Sequence, residues 1–178
     1  YDAIALGGMD FRMGLDVLRE QVQAADYAVL SANTLDPQTK DLFTEPYTIV
    51  ERGGHRIALI GLTDAKTVSD ATGGEVPVLE PVEQLIDIVD EVHDQVDLVI
   101  ILSHLGLMFD INLQQVAPEI DVIVSGRDRE VYDPPLTAAG PIIVSAGSRG
   151  EYIGRLDLHL NAEGEIESFD GYVQLLGE

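Results

Sequence analysis

Short, almost purely apolar runs alternate with amphipathic stretches along the 178-residue chain. The strongest run is Leu98-Val99-Ile100-Ile101-Leu102, held between Asp97 and the pair Ser103-His104. A continuous apolar segment bounded by polar residues predicts a central strand covered on both faces. Residues 1–6, 27–33, 121–126 and 141–146 read as further strands of the same buried kind. Residues 47–52 and 55–62 face each other across Gly53-Gly54, a hairpin signature. Residues 155–160 alternate strictly, which predicts a half-exposed strand with His159 on its polar face, and Asn161-Ala162-Glu163-Gly164 turns it into a last strand over 166–176.

Helical periodicity appears in three places. Residues 14–25 carry Leu15, Leu18 and Val22 on one side, an amphipathic pattern. Residues 81–92 open on Pro81, which suits a first helical turn, with Glu83 favouring the helix dipole. A shorter helix is expected around 110–116. Residues 7–10 read as a turn and 63–74 as a flexible loop. His55 beside its hairpin turn and His93 at a helix end read as solvated residues.

Buried strands interleaved with helices, followed by tightly turned strands, predict an α/β layered sandwich with mixed β-sheets flanked by helices. Ligands in such sheets gather beyond the carboxyl ends of the strands. Leu6-Gly7-Gly8, Leu102-Ser103-His104 and Val124-Ser125-Gly126 end on small or polar residues and are expected to meet in one crevice. His104 is therefore either a site residue or a histidine that caps its strand or fills the core.

Charge narrows the function classes. The 32 acidic residues outnumber the 10 basic ones, for a formal net charge of −22. Such a charge argues against binding nucleic acid or an anionic membrane through a basic face. It is compatible with a high-salt setting, where self-repulsion is screened, and equally with an ordinary acidic surface. No cysteine is present, which excludes disulfides and thiolate chemistry, and no run of eighteen apolar residues could span a membrane.

Several landmarks, in order, resemble the metallophosphoesterase domain of 5′-nucleotidases and 2′,3′-cyclic phosphodiesterases, within the calcineurin-like superfamily. Tyr1-Asp2-Ala3-Ile4-Ala5-Leu6-Gly7 resembles the run into that family's Gly-Asn-His-Asp/Glu block. Ser31-Ala32-Asn33, the hairpin ending in Gly61-Leu62-Thr63, and Ser103-His104 match further blocks. Ile120-Asp121-Val122-Ile123 leads toward its Gly-Gly-His-x-His block, and Tyr152-Ile153-Gly154-Arg155-Leu156 resembles the closing strands. The likeness covers the C-terminal two-thirds of such a domain. Residues 1–178 are thus expected to be one metallophosphoesterase-like domain, incomplete at its N-terminus.

The resemblance implies a centre of two divalent cations of the zinc or manganese type, which activate water for in-line attack on phosphorus. The chain departs from it at most ligand positions. Gly8 stands at the metal-ligand asparagine, Met9 at the catalytic histidine, and Arg127 and Arg129 at the histidine pair. His104 alone retains a ligand type. No cofactor and no catalytic residue are expected on that basis, and the preferred reading is a catalytically degenerate domain serving as a structural or interaction subunit. Two alternatives stay open. One is a metal-dependent phosphoester hydrolase completed by a missing segment or a partner chain. The other is an anion- or nucleotide-binding module using Arg127 and Arg129, with Ser103 and Ser125. Absent N-terminal strands would leave an open sheet, so another chain or a preceding segment is the expected partner. The resemblance further implies an extracytoplasmic origin.

Overall fold

The computed structural model describes residues 1–137 and 140–177. β1 (Ala3–Ala5) and β2 (Ala28–Leu30) pair in parallel as a small sheet. A five-stranded sheet runs β3 (Tyr47–Arg52), β4 (His55–Thr63), β5 (Leu98–His104), β6 (Val122–Ser125) and β7 (Ile142–Val144). Only the β3–β4 hairpin is antiparallel, while β4 to β7 are parallel neighbours. A long hairpin, β8 (Tyr152–Leu160) with β9 (Ile166–Leu175), stands apart as a third sheet. The mixed α/β sandwich expected from the apolar pattern is the observed architecture.

Helices cover the sheets where their apolar faces require it. In α3 (Pro81–Val92), Leu85, Ile88, Val89 and Val92 recur at helical spacing. They bury against Ile60, Leu62, Ile101 and Ile123 of the large sheet. Complete burial of such a side chain contributes about 1.5–3 kcal/mol, so this interface is the main core. A second core gathers Leu6, Phe11, Leu18, Val68 and Val76. It lies under the 3-10 turn Gly8–Met13, α1 (Leu15–Ala24) and α2 (Ala65–Thr72).

Helix α2 corrects the expected loop over 63–74. Asp64 caps it by accepting a hydrogen bond from the Thr67 amide at 2.8 Å, and Gly73 ends it in the left-handed conformation at φ 66°. Its sequence Ala-Lys-Thr-Val-Ser-Asp-Ala-Thr has one fully buried apolar residue, Val68. Caps and tertiary packing hold the helix where periodicity is silent. The turn expected over residues 7–10 is the start of the 3-10 segment, and the expected short helix is shifted to α4 (Leu107–Leu113).

The small and large sheets are joined at their strand ends by buried polar groups. The Asn33 amide spans the Thr63 backbone, accepting from its N–H at 2.9 Å and donating to its C=O at 2.8 Å. The Thr63 hydroxyl donates to the Leu6 carbonyl at 2.9 Å and lies 2.8 Å from the Ser31 hydroxyl. On the other side, the sheet face bearing Ile100, Val124 and Val144 looks across an apolar crevice of about 320 Å³ to the β8–β9 hairpin. Val124 remains 40% exposed there. No helix among the described residues is long and apolar enough to cross a membrane.

The Asn33 clamp yields a direct test. Asn33→Ala strands the Thr63 N–H and C=O in the interior, and each orphaned buried group costs about 1–3 kcal/mol. The expected loss is about 2–4 kcal/mol of unfolding free energy by urea titration. A change below about 0.5 kcal/mol would show that the clamp does not hold the sheets.

Candidate functional site

Three strand ends meet, as their sequences imply. His104 is the last residue of β5, opposite Thr63 of β4. Its ring lies over Gly7, where an added Cβ would be 2.8 Å from both Cδ2 and Nε2. Gly126 follows β6 and shares the same crevice with Gly8 and His104. Burial lowers the His104 pKa from its ordinary value, and the Arg127 guanidinium acts in the same direction. The Asp64 and Asp10 carboxylates oppose this without reversing it. The imidazole Nδ1 is buried and has no hydrogen-bond partner.

Around His104 the crevice of about 520 Å³ is lined by Met9, Thr67, Asp70 and Ser148, with Arg12, Arg127, Arg129 and Arg149. Met9 is 60% exposed at its mouth. Arg127 reaches inward: Nη1 donates to the Leu105 carbonyl at 2.5 Å and lies 3.7 Å from Asp64. Asp128 turns the other way and accepts from the Leu107 amide at 2.5 Å. Arg129 and Arg149 hold positive φ values of 60° and 64°, a conformation that costs a non-glycine residue about 1–2 kcal/mol. Arg149 carries no signal in local sequence, and Arg12 only that of lying three residues beyond Met9. What could have found them is distribution: four of the eight arginines in a chain with only two lysines come to one crevice.

Ser103 and Ser125 do not face it. Their hydroxyls donate to the two oxygens of Asp110 at 2.5 and 2.6 Å, in the interior beneath α4. Both serines and Asp110 are buried, so the expected contribution of Ser103 and Ser125 to anion binding gives way to a structural one. Asp110 escaped the sequence reading, although it shares the buried face of α4 with Leu113. A polar residue in the apolar phase of a short helix was the available signal. Burial raises its pKa, against the lowering effect of the two serine hydroxyls.

The donor set around His104 does not fit a pair of divalent cations. Glycine has no side-chain donor, a thioether is a poor ligand for hard or borderline cations, and guanidinium is permanently cationic. Space at residue 8 is also closed: a Cβ there would sit 2.4 Å from the backbone carbon and oxygen of Thr67 in α2. Among the described residues no group of three or more His, Cys, Asp or Glu could hold a metal ion.

Strand order, the crossing helices and the crevice at the strand ends define a metallophosphoesterase-type sandwich. No family model matches the chain. It is 30% identical over 205 residues to a 5′-nucleotidase of Vibrio cholerae, across 96% of this chain and 37% of that protein. A 5′-nucleotidase precursor from Thermus thermophilus superposes with a TM-score of 0.84 at 30% identity, over 98% of this chain and 39% of that one. The calcineurin-like phosphoesterase YfkN of Bacillus subtilis shares the fold, with a TM-score of 0.82 at 24% identity over 98% of this chain and 64% of that one. The chain belongs to the 5′-nucleotidase, calcineurin-like metallophosphoesterase family. It spans 37% of the length of the curated nucleotidase it matches.

Two outcomes follow from this geometry. Asp110 has a folded-state pKa above its unfolded value, so the folded state binds more protons and stability falls as pH rises above the ordinary carboxyl range. Asp110→Asn removes that cost. Its melting temperature relative to the parent should therefore rise as pH increases above the ordinary carboxyl range, measured by scanning calorimetry. A pH-independent difference would show that Asp110 is not the group responsible. Gly8→Asn should destabilise by about 3 kcal/mol or more by urea titration, since α2 must be displaced to admit it. An unchanged unfolding midpoint would mean that α2 yields freely.

Proposed function

We propose that this chain is a catalytically degenerate metallophosphoesterase domain, acting as a structural or interaction unit and not by two-metal hydrolysis. The observation that carries this reading is the Arg127 guanidinium, anchored on the Leu105 carbonyl beside His104. A fixed positive charge there opposes a divalent cation on the same histidine. Met9 and Gly8 supply neither a proton-transfer group nor a hard donor on the facing side. Support for an interaction role comes from α4, where Met108 and Phe109 are 76% and 49% exposed, with Ile111 41% exposed behind them. Adjacent large apolar side chains in water are the usual mark of a contact surface.

A second reading keeps the hydrolase, with its metal ligands supplied from outside these residues. The unpartnered Nδ1 of His104 and the greater length of the nucleotidase relatives favour it. Elemental mass spectrometry after dialysis with manganese and zinc separates the two, alongside assays on AMP and bis-p-nitrophenyl phosphate. The degenerate reading expects no stoichiometric metal and no turnover above buffer. Two retained cations per chain, with turnover lost in His104→Ala, would overturn it.

A further inference from the structure

We infer that the crevice at the strand ends is a metal-independent binding site for a phosphate dianion, held by Arg12, Arg127, Arg129 and Arg149. This rests on the degenerate reading above and deepens it by naming the ligand class. The four side chains come from three places in the chain: the 3-10 turn after β1, the segment after β6, which supplies two, and the loop after β7. Arg12, Arg127 and Arg129 follow strand ends that meet, and Arg149 joins them from a third segment. The chain as a whole is strongly acidic, with a net charge of −22, so four arginines lining one cavity are a local reversal of sign. At physiological ionic strength the remote carboxylates are screened beyond about 8 Å, and the crevice presents its own positive field.

Neighbouring carboxylates leave most of that charge unspent. Among the described residues, Arg12, Arg129 and Arg149 take part in no salt bridge, whereas Asp70 on the crevice wall is paired with Lys66 at 2.6 Å. Asp64 caps α2 through the Thr67 amide and lies 3.7 Å from Arg127. Arg129 and Arg149 are exposed, yet both hold left-handed backbones. Strain of this kind, retained at two residues lining one cavity, is what a positioned pair of binding groups looks like. Guanidinium forks match the oxygens of a tetrahedral oxyanion in a way that point charges do not. His104 lines the same crevice. A volume of about 520 Å³ admits a phosphate with an organic group attached. The shared chemistry is therefore a terminal phosphate dianion, free or as a monoester.

Isothermal titration of the chain in EDTA and low salt, with inorganic phosphate, AMP and adenosine as separate probes, tests this. Phosphate is expected to bind without metal, and AMP at least as tightly if a monoester is the ligand. Adenosine is expected to give no heat. Arg129→Gln combined with Arg149→Gln should weaken phosphate binding by about tenfold or more, with an unchanged melting temperature. Arg155→Gln, on the far hairpin, should leave it unchanged. Absence of phosphate binding at about 10 mM, binding indifferent to the double substitution, or equal binding of adenosine would each overturn the inference while leaving the degenerate reading intact. Phosphate binding that appears only with manganese, accompanied by turnover of AMP, would overturn that reading itself.

Discussion

Everything at the crevice depends on the hydrogen-bonded join between the two sheets. Thr63 ends β4, and Asn33 holds both polar groups of its backbone while the Thr63 hydroxyl reaches the carbonyl of Leu6. That join brings the turn after β1 against the end of β5. Without it, Gly7 would not lie under the His104 ring. The three strand ends converge because buried carbonyls and amides must be paired somewhere, and these small polar side chains pair them. Ser31, Asn33 and Thr63 are functional residues only in this indirect sense: they place a cavity.

Below the same crevice, Asp110 performs a comparable task for β5 and β6. One buried carboxyl group accepts from a serine on each strand. The polar strand ends therefore divide by depth. Serines and Asp110 lie in the interior, while arginines and His104 line the opening. The permanently charged groups lie where water can reach them, and the group that burial can neutralise lies where water cannot.

Legibility in the sequence followed from how the information is encoded. β5, the β3–β4 hairpin and α3 were readable because continuous apolar runs, a Gly-Gly turn and helical spacing are local signals. Helix α2 was not, since its single buried valine sets no period and its stability comes from a cap and from packing on the 3-10 turn. Within the site, His104 was legible from its place at a strand end, and Arg127 and Arg129 only from the family block they stand in. Arg149 was not, because nothing near it in the chain relates it to residue 104, and Arg12 was passed over although it lies three residues beyond Met9. Serines 103 and 125 were assigned to the opening because a strand end does not reveal which way a hydroxyl turns. Asp110, the group they turn toward, lies across a turn and up a helix.

The contact between residue 8 and α2 bears on how such a crevice can change over generations. The backbone of Thr67 fills the space that any side chain at residue 8 would need. A larger residue there and the present position of α2 exclude one another. A side chain at residue 8 is therefore not accommodated while α2 stays where it is. The helix must move first, and its packing against Phe11 and Leu18 through Val68 resists the move. Residue 8 and α2 thus constrain one another, and the floor of the crevice is set by where that helix rests.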